Sequence, residues 1–277
     1  LYSHKNKKSA ENGYKKQKTE AELENAESRE AKENLFIGRN AVLELLKTDK
    51  QVDKLYVQKG EREGSITLIV AKAVEKRIPV VEVDKRRLDM MSGGGAHQGV
   101  AAEVAETDYA SVEDILALAK ERGEKPFIII CDSINDPHNL GAIIRTAECA
   151  GAHGVIIPKR RSVSVNSTVA KASAGAVFHT LVARVPNLNT AIQQLKENNV
   201  WIWAVETGGT PYYEHNYDCG LAFVLGGEDT GVSRLVRENC DFCASIPLYG
   251  KINSLNVSNA AAVVLFEAAR QRAKPKS

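Results

Sequence analysis

The feature that most constrains this chain is a series of short, wholly apolar runs in its second half. Phe127-Ile-Ile-Ile-Cys131, Val155-Ile-Ile157, Val200-Trp-Ile-Trp-Ala-Val205 and Leu221-Ala-Phe-Val-Leu225 have no polar face. A strand with one side in water alternates apolar and polar residues, whereas a strand apolar on both sides must be covered on both sides. Helical stretches at about Leu140 to Ala150 and about Val257 to Arg272 supply part of that cover. The pattern predicts an α/β architecture in which a parallel sheet carries helices on both faces. The last helix is apolar almost all round through Ala260-Ala-Ala-Val-Val-Leu-Phe266. Such a helix must be buried on several sides, inside the fold or in a subunit interface.

A different module precedes this region. Val42, Leu45 and Leu46 mark a short amphipathic helix, and Val52-Asp-Lys-Leu-Tyr-Val57 reads as a strand. Ile66, Ile69, Val70 and Ala73 mark a second helix, and Ile78-Pro-Val-Val-Glu-Val83 a second strand. We therefore divide the chain into a polar tail (1–33), a small α/β module (34–92), a linker with a closing strand (93–108) and a large domain (109–277). The tail runs from a lysine-rich half (Lys5, Lys7, Lys8, Lys15, Lys16, Lys18) to a glutamate-rich half (Glu20, Glu22, Glu24, Glu27, Glu30), with too little apolar surface to offset the entropy of ordering. Gly93-Gly94-Gly95 reads either as a surface loop or as a hinge near the domain boundary.

The 277 residues, 43% of them hydrophobic, suffice for two domains with real cores. No apolar run approaches the length that crosses a bilayer, so no membrane association is expected. The lysine-rich start leads into no apolar segment, and the expectation is a cytoplasmic protein without a secretory signal. With 37 basic and 35 acidic residues, the net charge of +2 neither demands nor excludes nucleic acid. Cys240 and Cys243 form a lone C-x-x-C pair with no second pair and no nearby histidine, so no metal is expected.

Ligands of parallel sheets gather beyond the carboxyl ends of the strands, and three loops stand out there. The first runs from Asp132 through Asn139, Gly141, Arg145 and Ala147; on its own it reads as a helix cap, Asn139, followed by a solvent-facing arginine. The second is Leu225-Gly226-Gly227-Glu228-Asp229-Thr230-Gly231, whose paired glycines let backbone approach a ligand closely. It is neither a dinucleotide fingerprint nor a P-loop. The third is Ile246-Pro247-Leu-Tyr-Gly250-Lys-Ile-Asn-Ser254-Leu255-Asn256-Val257-Ser258, where capping explains Ser254 or Asn256 but hardly both.

In this order and spacing, the three stretches resemble the signature motifs of the SpoU/TrmH class of RNA ribose methyltransferases. The matching positions are Asn139-x-Gly141-x-x-x-Arg145-x-Ala147, Leu225-Gly226-x-Glu228-x-x-Gly231, and Ile246-Pro247-x-x-Gly250 continuing into Ser254-Leu255-Asn256-Val257-Ser258. The module beginning Phe36-Ile-Gly38-Arg39-Asn40-Ala-Val42 resembles the ribosomal-protein-like substrate domain of the RlmB branch, which methylates a guanosine ribose in 23S ribosomal RNA. The resemblance implies a parallel-sheet SPOUT domain with a C-terminal trefoil knot, preceded by that small RNA-binding domain. It implies S-adenosylmethionine as cofactor, held by backbone around Thr207, Gly226, Ile246 and Leu255.

It also implies Arg145 as the catalytic residue, either as general base or as a group stabilising the forming alkoxide. Asn139, Glu228, Ser254 and Asn256 are implied to orient Arg145, ribose and cofactor, with Glu228 a partner for the arginine's charge. Family likeness further implies a homodimer of catalytic domains, with the modules of residues 34–92 projecting outward. Lys85-Arg86-Arg87 and Lys159-Arg160-Arg161 are candidate phosphate contacts or merely solvated faces. Two rival readings are a tRNA ribose methyltransferase and a non-catalytic RNA-binding or ribosome-assembly protein of the same fold.

Overall fold

The computed structural model describes residues 34–60, 64–104, 109–228 and 230–273; the polar tail of residues 1–33 lies outside them. The first domain comprises β1 (Leu35–Ile37), α1 (Arg39–Leu45), β2 (Val52–Gln58), α2 (Ser65–Glu75), β3 (Val80–Val83), α3 (Lys85–Met91) and β4 (Val100–Val104). Its sheet has the order β1-β4-β2-β3, with β4 antiparallel to both neighbours and β3 parallel to β2. The expected apolar stripe of α2 is buried at Ile66, Ile69 and Ala73. Because β4 is an inner strand, Gly93-Gly94-Gly95 lies within this domain and joins α3 to its last strand.

The second domain continues with α4 (Val112–Glu121), β5 (Phe127–Asp132), α5 (Pro137–Cys149), β6 (Gly154–Pro158), α6 (Ser167–Ala172), β7 (Leu181–Val185) and α7 (Leu188–Glu197). It ends with β8 (Val200–Pro211), β9 (Gly220–Gly226), α8 (Arg234–Glu238), β10 (Phe242–Ser245) and α9 (Val257–Arg272). The six strands form one all-parallel sheet in the order β10-β8-β9-β5-β6-β7. The apolar runs are buried on both faces for the predicted reason. Phe127, Ile129 and Cys131 pack with α5, α6 and α9, while Ile128 and Ile130 pack with α4, α7 and α8.

Within its own chain the last helix is buried along one side. Val257, Ala261, Val264, Leu265 and Ala268 are buried, whereas Phe266 is 51% exposed. One face is therefore anchored on α5 and β9, and the opposite face is uncovered among the described residues.

The two domains share apolar core, which differs from an outward-projecting module. Phe36 meets Phe178 edge-on at 5.0 Å, and both belong to one buried cluster with Val42, Leu45 and Val169. Glu44 pairs with His179 at 2.9 Å, a contact that places its Cβ 2.5 Å from where a side chain on Gly175 would begin. Gly175 also sits at φ +89°, so a larger residue there is doubly unfavourable.

Candidate active site

Residues Asp132 and Gly226 are register partners at the carboxyl ends of β5 and β9. The loops that follow them therefore leave the sheet side by side, at the place where chain order reverses across the sheet. Asp132 ties the two together: its Oδ2 accepts the Ser233 N–H at 2.7 Å and its Oδ1 accepts the Ser133 hydroxyl at 3.1 Å.

Asn139 does not cap α5. That role belongs to Asp136, whose Oδ1 accepts the His138 N–H at 2.9 Å, with Pro137 opening the helix. Asn139 is instead buried in the first turn, and its Nδ2 donates to Glu228 Oε1 at 2.7 Å. Two residues on, Gly141 leaves room for α6, since a side chain there would start 2.5 Å from the Ala172 Cβ.

Asn256 completes a three-residue network from the far end of the chain. Its Nδ2 donates to Asn139 Oδ1 at 3.1 Å and to Glu228 Oε1 at 2.7 Å. Its Oδ1 accepts the Ser258 N–H and hydroxyl at 2.9 and 2.6 Å, which caps α9. The three sequence motifs thus converge on one set of hydrogen bonds. Glu228 is engaged by two amides rather than by Arg145.

The glycine loop owes its composition to a chain-on-chain contact. A Cβ on Gly226 would lie 2.0 Å from the Gly231 carbonyl carbon and 2.2 Å from the Val232 nitrogen, and Gly231 has φ +60°. The expectation was close approach of backbone to a ligand; the observed approach is of the loop to itself.

Beside this network opens a cavity of about 460 Å³. Thr207, Gly226, Ile246 and Leu255 all line it, as do Glu228, Ser254 and Asn256. Arg145 does not. It is exposed, lies six residues beyond Asn139 on α5 (about 9 Å along the axis), and its side chain makes no hydrogen bond or ion pair among the described residues.

Strand-end reasoning applied to every apolar run would also have found Glu206, which follows Val205 directly and lines the cavity. Its Oε1 accepts the Val232 N–H at 3.0 Å and its Oε2 pairs with Arg237 at 3.2 Å, so it braces the glycine loop from below.

The walls suit S-adenosylmethionine. Ile246, Leu248, Leu255 and Val257 offer apolar surface for a flat ring, the Leu225–Gly227 backbone offers polar groups, and the carboxylates of Glu206 and Glu228 favour a cation. The C-x-x-C pair offers no comparable site. Burial pushes the Cys240 thiol up to about 12 and raises that of Cys243, and Cys240 Sγ donates to the Val236 carbonyl. Among the described residues no group of three or more potential metal ligands occurs.

Comparison with known proteins agrees with this geometry. Residues 126–266 match the model of the SpoU rRNA Methylase family, and residues 35–110 match the model described as RNA 2'-O ribose methyltransferase substrate binding. The chain is 42% identical over 237 residues to YacO of Bacillus subtilis, described as a TrmH family tRNA/rRNA methyltransferase, covering 85% of this chain and 95% of that one. A TrmH family relative from Staphylococcus aureus is likewise 42% identical over 241 residues, covering 87% and 97%.

Among solved structures, the AdoMet-bound rRNA methyltransferase of Sinorhizobium meliloti superposes with a TM-score of 0.70 at 26% identity, covering 85% of this chain and 86% of the other. The SpoU methyltransferase AviRb of Streptomyces viridochromogenes shares the fold, with a TM-score of 0.75 at 23% identity over 90% and 92% of the two chains. Motif convergence, cavity and relatives lead to one assignment: this chain belongs to the SpoU/TrmH family of RNA methyltransferases and uses S-adenosylmethionine.

Proposed function

We propose that this chain methylates a ribose 2′-hydroxyl of 23S ribosomal RNA, at a guanosine. The observation that carries the reading is the Asn139–Glu228–Asn256 network on the edge of the cofactor cavity. A ribose hydroxyl is a weak nucleophile, so the protein must align it and ease loss of its proton. S-adenosylmethionine supplies a methyl group already bonded to a good leaving group, a sulfonium sulfur. Backbone at Thr207, Gly226, Ile246 and Leu255 holds the cofactor, and the two amides fix the Glu228 carboxylate toward the cavity.

Arg145 acts from the exposed face of α5. An exposed guanidinium is a charged, forked donor rather than a proton acceptor, which favours stabilisation of the developing alkoxide and of a flanking phosphate. Ser254, exposed in the cavity lining, helps orient the ribose. The uncovered face of α9 around Phe266 supports a homodimer built on the catalytic domains. A ribosomal target is supported by the substrate-binding module and by the rRNA methyltransferase neighbour.

Purified protein with tritiated S-adenosylmethionine should label a 23S rRNA transcript, and nuclease digestion should recover the label as 2′-O-methylguanosine. Arg145→Ala and Arg145→Lys should each reduce transfer by about a hundredfold or more. Label confined to tRNA would transfer the assignment to that substrate, and label on a base would overturn the ribose reading.

A further inference from the structure

The first domain holds a second cavity, of about 520 Å³, that the chemistry described so far does not use. It opens between β2, the start of α3 and the glycine loop before β4. Its size falls within the roughly 300–1,000 Å³ of ordinary ligand pockets. Three cations line it, Arg39, Lys59 and Lys85, against a single carboxylate, Asp89.

That carboxylate is already committed. Asp89 Oδ1 bonds the buried His97 at Nε2, 3.0 Å away, while His97 Nδ1 accepts the Gly99 N–H at 3.0 Å. The pair fixes the loop from within. Arg39 is anchored through its Nε and backbone N–H to Gln98, at 3.1 and 3.0 Å. Lys59 and Lys85 are exposed, and their side-chain ammonium groups have no hydrogen-bond or ion-pair partner among the described residues; Lys59 is held by its backbone N–H, which donates to the Val83 carbonyl at 2.8 Å. Gly93 and Gly94, at φ +59° and +82°, leave the wall open, with nothing within 4 Å of where a side chain would begin.

The positive charge continues past the rim. Asp84 Oδ1 accepts the Arg87 N–H at 2.8 Å, which caps α3 and sets Lys85, exposed Arg86 and exposed Arg87 on its first turn. A pocket with uncompensated cations suits one phosphate, and a basic stripe leading from it suits a polyanion.

We propose that this pocket binds a nucleotide of the RNA substrate, with its phosphate on Lys59 and Lys85 and the flanking backbone along Arg86 and Arg87. The assignment rests on the RNA-substrate reading above and adds the face of the module that grips the RNA. Lys171 of the catalytic domain donates to the Ala96 carbonyl in the pocket wall at 3.4 Å, so RNA held here is held in fixed relation to that domain.

The test is filter binding of a 23S rRNA transcript and of bulk tRNA over a salt series. Lys59→Ala with Lys85→Ala should weaken binding about tenfold and lower the slope of log affinity against log salt by about 1. S-adenosylmethionine affinity should be retained. Lys54→Ala with Lys120→Ala removes the same charge elsewhere and should leave RNA binding unchanged. Wild-type affinity and slope in the Lys59/Lys85 variant, or an equal loss in the control, would overturn the pocket alone. Failure of the wild type to bind either RNA would overturn the functional reading together with the pocket.

Discussion

Asn256 carries two duties that a single substitution can separate. Its Oδ1 caps α9, and its Nδ2 holds Glu228 and Asn139. Asn256→Asp keeps a good cap but sets a second carboxylate against Glu228, so the fold should persist while the network breaks. Methyl transfer should fall about ten- to a hundredfold, corresponding to the ~1.5–3 kcal/mol of a hydrogen bond to a charged group. Asn256→Ala should add a loss of about 1 kcal/mol of stability from the missing cap. Turnover measured beside thermal melting checks both, and normal turnover in the aspartate variant would refute the network's role. The positions in this network were legible in the sequence, but their partners were not. Asn139 stands where a helix cap belongs, yet Asp136 takes that place because proline follows it. The bond from Asn139 to Asn256 spans 117 residues, which no local pattern encodes. Glycine at 226 was readable as close approach, but not as approach of the loop to its own return.

Among elements, those with long unbroken periodicity were readable and the edges were not. β5 and β9 follow the apolar pattern closely because each is buried by neighbours that demand it. β10 is Phe-Cys-Ala-Ser, short and at the sheet edge, and β7 carries Arg184 at the other edge. Edge strands need less apolar surface, so their patterns are weak. α4 was also missed, although Ser111 and Asp114 form a capping box ahead of it. The contact of β1 and α1 with the segment after α6 lay beyond any local pattern, since it joins two domains. Phe36→Ala at this contact should cost about 3–5 kcal/mol. With core shared across the boundary, the chain should melt in one transition that shifts as a whole. Two transitions, of which only one responds, would show that the domains are independent.

For the whole molecule, the division of labour follows from where the two cavities lie. One sits at the carboxyl end of β9 and beside the middle of β8, among the three motifs, and the other sits in the first domain beside Arg39, Lys59 and Lys85. On the proposed reading, cofactor and chemistry belong to the first, and grip on the RNA to the second. Because the domains share a core, substrate held by one is presented to the other at a set distance rather than at the end of a tether. The sequence carried the two-domain order and the family's motifs, while the packing between domains emerged only in three dimensions. The most direct test is to map ribose methylation across ribosomal and transfer RNA from cells with and without this gene. The account predicts that one 2′-O-methylguanosine disappears from 23S rRNA when the gene is deleted and returns with the intact gene but not with the Arg145→Ala form. An unchanged 23S ribose-methylation pattern in the deleted strain would contradict it.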